Sequence, residues 1–349
     1  MPKQVRFPDT FLDYIPEPRC GHTEYQCKLA ESFSRNVALV PPIYALLKVT
    51  DRCPSGCSYC AHAGRNDISS DSDTPTLKGT LQQIAEAGCV SVNFTGGEPL
   101  VRGDLADLGR HARELGLYSI LLTNGSLIRH RLKEITEGGF QLVIVSLDSL
   151  DPEKYRSTRG VPLAPVLHGI DLLRQIGPVP PHISITSVVT RSNVDELSSL
   201  VEYFSQRGIG VQFTPYHHNG KSKDDMLSPR APERYRSAIV DLKRLKASGS
   251  GVLNSEAYLD HFCNFNFDRR SLPAGYRCYS SYTTLYIDAQ RNVRACWSGG
   301  MPVVGNLRSQ SLKDTIASPQ MRAARRRVRD LRCEGCWLLC TAEISLRWQ

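Results

Sequence analysis

No stretch of this 349-residue chain approaches the roughly 18 uninterrupted apolar residues that a membrane span needs, which excludes an integral helical membrane protein. The N-terminus, Met1-Pro-Lys-Gln-Val-Arg, runs into acidic and aromatic residues with no apolar core, so a secretory signal is absent and a cytoplasmic protein is expected. Charge of one sign is also scarce: 43 Lys and Arg against 35 Asp and Glu leave a net +8, spread along the chain, which argues only weakly for an anionic partner. Hydrophobic residues at 41% and charged residues at 22% are ordinary for a globular enzyme. The last absence is local, for no cysteine lies between Cys89 and Cys263.

Yet the chain has twelve cysteines: Cys20, Cys27, Cys53, Cys57, Cys60, Cys89, Cys263, Cys278, Cys296, Cys333, Cys336 and Cys340. Without a signal peptide they are expected to be reduced, and clustered cysteines then bind metal more often than they pair. One group is Cys53-x3-Cys57-x2-Cys60, and the other runs from Cys278 and Cys296 to Cys333-x2-Cys336-x3-Cys340. Two metal-binding regions therefore flank a cysteine-free body, and thiolates select zinc or iron–sulfur. For the first group His62 could complete a structural zinc site, whereas three cysteines on a cubane cluster would leave one iron open to a ligand. For the second, a four-thiolate zinc site is the competing reading.

The body alternates short apolar strands with segments of helical period. Strands are expected over Ile43–Thr50, Val90–Thr95, Tyr118–Thr123, Leu142–Leu147, Ile183–Thr190 and Val211–Thr214. Helical spacing joins Leu77, Leu81, Ile84 and Ala85; Leu127, Ile128, Leu132 and Ile135; Val166, Ile170 and Leu173; and Leu197, Leu200, Val201 and Phe204. Gly88, Gly116, Gly138, Gly177 and Gly208 are placed to end helices in the left-handed conformation. A further helix from Pro232 to about Lys246 follows a polar linker, 217–231. Six β/α repeats predict an α/β fold with a parallel sheet, either a barrel, partial or full, or a doubly wound sheet. In barrels the chemistry collects at the C-terminal strand ends. Here those ends carry the Cys53 triad, Gly96-Gly97-Glu98-Pro99, Thr123-Asn124-Gly125, Ser146-Leu147-Asp148-Ser149, Thr190-Arg191-Ser192-Asn193 and Pro215-Tyr216-His217-His218.

Cys53-x3-Cys57-Ser-Tyr59-Cys60 after a first strand, with Gly96-Gly97-Glu98-Pro99 after the second, resembles the radical S-adenosylmethionine (SAM) superfamily over about 43–251. The resemblance implies a partial (β/α)6 TIM-like barrel over 43–250, after an N-terminal extension, 1–42. It implies a [4Fe–4S] cluster on Cys53, Cys57 and Cys60 whose open iron chelates SAM. One electron then releases a 5′-deoxyadenosyl radical that takes hydrogen from a substrate C–H bond. Gly96, Gly97 and Glu98 would meet the methionine part of SAM, Tyr59 its adenine, and Ser146 and Asp148 its ribose. Thr123 and Asn124 would be further contacts, although Thr-Asn-Gly is also a plain turn sequence.

The second cysteine group resembles the SPASM or twitch extension, giving a small C-terminal α+β auxiliary-cluster domain, 251–349. Its run Tyr286–Cys296 is similar to the extension's hairpin, except that Arg291 stands where a glycine is usual, so a different turn is expected. The full extension needs more cysteines than the five here, so one auxiliary [4Fe–4S] cluster on Cys278, Cys296, Cys333 and Cys336 is expected. Cys340 is then an alternative ligand or a spare thiol. The arginines 322, 325, 326, 327, 329 and 332 suit a solvated helix that offsets an anionic cluster, or a site for an acidic substrate or redox protein.

These resemblances imply an oxidoreductase or epimerase acting on a small natural product, a sugar, cyclitol or nucleoside-like molecule, with electrons from a flavodoxin- or ferredoxin-type donor. Cys263 and Cys340 are candidate hydrogen-atom donors. Asp148, His217 and His218 are candidate acid–base groups, since Trp297 and Ser298, not a carboxylate, follow Cys296. The alternative is a maturase of a ribosomally made peptide; Met1–Pro42 is short for the leader-binding domain such enzymes often carry, which favours the small molecule. A zinc-stabilised nucleic-acid-binding protein is a remote third reading, disfavoured by the β/α body.

Overall fold

The computed structural model describes residues 6–60, 63–67, 71–176, 181–216, 232–267, 272–297, 301–333 and 335–349. Six parallel strands, β1 (Tyr44–Thr50), β2 (Ser91–Gly96), β3 (Tyr118–Thr123), β4 (Leu142–Ser146), β5 (His182–Val189) and β6 (Gly210–Pro215), lie side by side in chain order. Helices connect them, including Thr74–Glu86, Leu105–Glu114, Leu163–Arg174 and Leu197–Ser205, as the repeats require. The strands alternate. Ala45, Leu47 and Val49 of β1, Val92 and Phe94 of β2, and Val211 and Phe213 of β6 are fully buried in the core. Their neighbours Tyr44, Leu46, Lys48, Asn93, Thr95, Gln212 and Thr214 line a common interior cavity to which all six strands contribute. The sheet therefore curls round that cavity without closing, for β6 and β1 do not pair.

The C-terminal strands extend the same sheet. β7 (Thr284–Ile287) pairs parallel to β1, and β8 (Asn292–Arg294) and β9 (Val303–Asn306) follow antiparallel, giving nine strands in the order β6-β5-β4-β3-β2-β1-β7-β8-β9. Helices Leu312–Ala317, Pro319–Arg329 and Ala342–Arg347 complete this small region. The N-terminal segment binds it: Tyr282 donates to Asn36 at 3.0 Å, Asn36 Nδ2 donates to the Arg322 carbonyl at 3.2 Å, and His22 stacks on Trp348.

Three local expectations change. The stretch from Leu127 to Ile135 is a single turn, Ile128–His130, followed by a separate helix, Leu132–Gly138. That helix ends on Gly139 at φ +63° rather than on Gly138, which instead packs beside the Phe140 ring. Arg291 adopts φ +63°, so the hairpin keeps a left-handed backbone with an arginine in it. Asp288 holds that turn, accepting from the backbone of Gln290 at 3.1 Å and of Asn292 at 2.8 Å. Gly177 lies outside the described residues.

Candidate active site

β1 delivers the chain into the cysteine loop, which closes on itself through Cys53 N–H to the Arg65 carbonyl (2.7 Å) and Gly64 N–H to the Ser55 carbonyl (2.9 Å). Cys53 and Cys57 are buried, and Cys60 faces the cavity. Burial raises both buried thiols, Cys57 to about 11, and each is raised further by the neighbouring thiols of its own triad. Arg159 alone among the Cys57 neighbours pulls the other way. Thiols in such surroundings stay protonated until a metal takes the proton's place.

Around the loop stands a scaffold. Gly97 N–H donates to the Thr50 carbonyl at 2.9 Å and Glu98 N–H to the Arg52 carbonyl at 2.8 Å. A Cβ on Gly96 would come within 2.2 Å of the Thr50 oxygen, and one on Gly97 within 2.2 Å of the Arg52 oxygen. The glycines are thus required by the chain's own close approach, and Gly96 also lines the cavity. Glu98, expected at the cofactor, is fully buried and engaged by its neighbours. Its carboxylate accepts from Thr123 Oγ1 (2.8 Å), Asn124 N–H (2.7 Å) and Leu100 N–H (3.0 Å). Asn124 in turn donates to Ser55 Oγ at 2.8 Å and reaches Cys53 Sγ at 3.7 Å. Thr123 and Asn124 therefore brace the cysteine loop and are absent from the cavity wall.

Asp148 is likewise committed. Its two carboxylate oxygens accept Arg159 Nε (2.6 Å) and Nη2 (2.8 Å), Tyr59 OH (2.7 Å) and Val188 N–H (2.9 Å), all the bonds a carboxylate readily takes. Asp148, expected as an acid–base group, thus stands in a buried ion pair with Arg159. The pair holds Tyr59, whose ring lies on the cavity wall with the Arg159 guanidinium 5.4 Å from its centroid. Ser146 also reaches that wall.

Arg159 was not singled out from the sequence. It ends the helix Pro152–Arg159, whose C-terminus docks on the cysteine loop: Ser58 N–H donates to the Thr158 carbonyl at 2.9 Å and Cys57 Sγ to the Arg159 carbonyl at 3.5 Å. The available signal was Asp151-Pro152, a helix cap and first-turn proline, with Gly160 as the stop.

The cavity measures about 560 Å³, within the range of small-ligand sites. Tyr59, Cys60, Gly96 and Ser146 line it, and so do Trp297, Leu338, Leu339 and Cys340 of the C-terminal region. A second, small space of about 20 Å³ lies between Cys278, Cys296, Cys333 and Cys336, lined also by Tyr276, Met301 and Val328. Cys340 instead lines the main cavity. Burial pushes both the Cys278 and the Cys340 thiol up to about 12, with the Cys336 thiol adding to each. Among the described residues no three His, Cys, Asp or Glu side chains are drawn together closely enough to chelate a single ion. His62, His217, His218, Ser298 and the Cys263 side chain lie outside the described residues.

Comparison with known proteins finds two family matches along the chain. A family model described as the Radical SAM superfamily matches residues 47–204, and one described as SPASM, an iron–sulfur cluster-binding domain, matches 278–337. The chain is a member of the radical SAM superfamily. Within it, the chain belongs with the enzymes that carry a C-terminal SPASM domain, and [4Fe–4S] clusters and SAM are the cofactors of such enzymes. It is 34% identical over 201 residues to the GTP 3′,8-cyclase of Marinobacter nauticus, a match covering 54% of this chain and 56% of that protein. It is 30% identical over 224 residues to the PqqA peptide cyclase of Xanthomonas campestris pv. campestris, covering 60% and 56%. The matches thus span little more than half the length of these curated relatives. Streptococcus suis SuiB bound to S-adenosylmethionine shares the fold, with a TM-score of 0.68 at 19% identity over 92% of this chain and 76% of that one. No helix among the described residues is long and apolar enough to cross a membrane.

Proposed function

We propose that this protein is a radical SAM maturase that takes a hydrogen atom from a peptide and so sets up an oxidation or a new bond within it. The observation that carries this reading is the cavity whose lining includes Cys60 together with Cys340 and Trp297. A substrate there would lie between the two cysteine groups. Similarity to a PqqA peptide cyclase, and the shared fold of SuiB, whose structure with the precursor peptide SuiA is known, support a peptide over the sugar or cyclitol first expected.

In this reading Cys53, Cys57 and Cys60 hold the SAM-binding cluster, and Cys278, Cys296, Cys333 and Cys336 hold the auxiliary one. When bound, the first cluster and SAM supply the one-electron cleavage and hydrogen abstraction. The chain's own residues do the rest. The Asp148–Arg159 pair fixes Tyr59 against the cavity, and the Gly96 backbone and Ser146 line the SAM end. Leu46, Leu122, Ile144, Leu338 and Leu339 keep water from the reacting atoms. A flavodoxin- or ferredoxin-type protein is the proposed electron donor.

The test is deuterium transfer into 5′-deoxyadenosine. The reconstituted enzyme, SAM and a reductant are incubated with peptides deuterated at Cα and Cβ, with deuterated amino sugars, or with deuterated GTP. Label arriving from a peptide is expected. Label from GTP or a sugar, with none from any peptide, would overturn the peptide reading and leave the superfamily assignment intact.

A further inference from the structure

The charges on the wall of the main cavity are answered within the chain, Lys48 by Asp51 at 3.6 Å and Arg159 by Asp148 at 2.6 Å. Among the described residues no aspartate or glutamate lines the cavity. The groups that the wall leaves unanswered are neutral. Gln212 lies between Val211 and Phe213, both fully buried in the core, so the alternation of β6 turns it to the cavity. It is 3% exposed, and its Oε1 has no hydrogen-bond partner among the described residues. Asn93 stands in the same way between Val92 and Phe94 of β2. It too is 3% exposed; its Nδ2 donates to Tyr44 OH at 2.8 Å, while its Oδ1 has no partner among the described residues.

A buried acceptor left unpaired is costly, and two of them facing one cavity make a place for N–H donors from a ligand. Register sets Ser146 of β4, Thr186 of β5 and Gln212 of β6 in one uncharged row along the same wall. Beside this row the chain itself shows what a carboxamide does with a main chain. Asn254 Oδ1 accepts the Phe213 N–H at 2.8 Å, and Asn254 Nδ2 donates to the Phe213 carbonyl at 2.9 Å. One side-chain amide thus reads the N–H and the C=O of one extended residue. Gln212, next to Phe213 in sequence, presents the same group to the cavity.

We propose that Gln212 reads the main chain of the substrate, its Oε1 accepting the N–H and its Nε2 donating to the C=O of one extended residue, while Asn93 Oδ1 accepts a second N–H. This rests on the peptide reading above and names its substrate class: an extended peptide segment held through its backbone. Gln212 is then a specificity-determining residue. An ester in place of the amide leaves its Oε1 unpaired, because an ester oxygen brings no donor.

The experiment measures binding of acetyl-Ala-Ala-Ala-methylamide to the reconstituted, SAM-loaded enzyme by ligand-observed NMR. It is compared with three analogues in each of which lactate replaces one alanine, so that an ester oxygen replaces one N–H. The wild type is expected to bind one analogue roughly fivefold more weakly through Gln212, and a second through Asn93, as the cost of a buried unpaired acceptor suggests. Gln212→Met should remove the first penalty and Asn93→Leu the second. Gln212→Glu keeps an acceptor and should retain the first, which keeps the question answerable should the methionine variant fail to fold. Equal binding of all four molecules by the wild type, or penalties that survive in Gln212→Met and Asn93→Leu, overturn the proposal. So does a tenfold loss of SAM affinity in Gln212→Met with the ester penalties intact, which would assign Gln212 to SAM. N-methylacetamide and methyl acetate, titrated in the same way, separate this failure from that of the peptide reading. A Gln212-dependent preference for N-methylacetamide with no tripeptide bound upholds the N–H subsite and removes the peptide. No preference in either set overturns the subsite.

Discussion

At position 291 the hairpin between β7 and β8 needs a left-handed backbone, and an arginine supplies it at φ +63°. A residue with a Cβ is strained there by roughly 1–2 kcal/mol, of which glycine's greater freedom in the unfolded chain returns part. Arg291→Gly should therefore raise stability by about 0.5–1 kcal/mol in urea unfolding, and a loss would show that the side chain holds the turn. Glu98 makes a second residue-level prediction. Burial pushes its carboxyl up to about 7, while donors from Asn124, Leu100 and Thr123 pull it down. Its folded value lies above the unfolded value of about 4.3, so its contribution to stability is full below that pH and is lost as the pH rises through about 7. Compared by unfolding at pH 5 and pH 8, the wild type should lose stability relative to the non-titrating Glu98→Gln variant. A difference that is flat, or of the opposite sign, would contradict this. Cysteine spacing and glycine pairs were legible in the sequence because chemistry fixes them. The engagement of Asp148 and Glu98 was not, because a carboxylate's partners come from four different strand ends and one helix.

At the scale of the element, the strands were readable within a residue or so because their outward layer is mostly apolar, with only buried residues such as Ser119 and Ser187 breaking it. The helix Pro152–Arg159 was not. Its sequence, PEKYRSTR, buries Tyr155 but shows no apolar stripe, so periodicity is silent and only the cap residues mark it. Its tie to the cysteine loop is a glycine contact: Gly160 sits at φ +70°, and a Cβ there would lie 2.7 Å from the Gly56 backbone. Gly160→Ala should cost more than about 2 kcal/mol, combining backbone strain with overpacking. It should also lower iron retention after anaerobic gel filtration. Wild-type iron content and stability would show that the helix end does not support the loop.

Across the whole molecule, the SPASM region is continuous with the barrel through β1 and β7, and the N-terminal segment fastens to it from the other side. Arg347 donates to Asp13 at 3.2 Å and to Glu17 at 2.5 Å, more than 300 residues away in sequence. Such contacts leave no trace in local patterning, which is why the chain's ends read as an extension and an appendage while the structure joins them. The same distance hid the C-terminal part of the cavity lining. Trp297 and Cys340 could be suspected from the sequence, but only the joined sheet brings them to the same cavity as Cys60. The central claim is that two thiolate sets hold two clusters around one substrate cavity, and the most direct measurement is iron and sulfide content after anaerobic reconstitution. At about four irons per cluster, the account predicts about eight in the wild type and about four in each of two variants, Cys53/Cys57/Cys60→Ala and Cys278/Cys296/Cys333/Cys336→Ala. Zinc without iron, or loss of all iron from either variant, would contradict it.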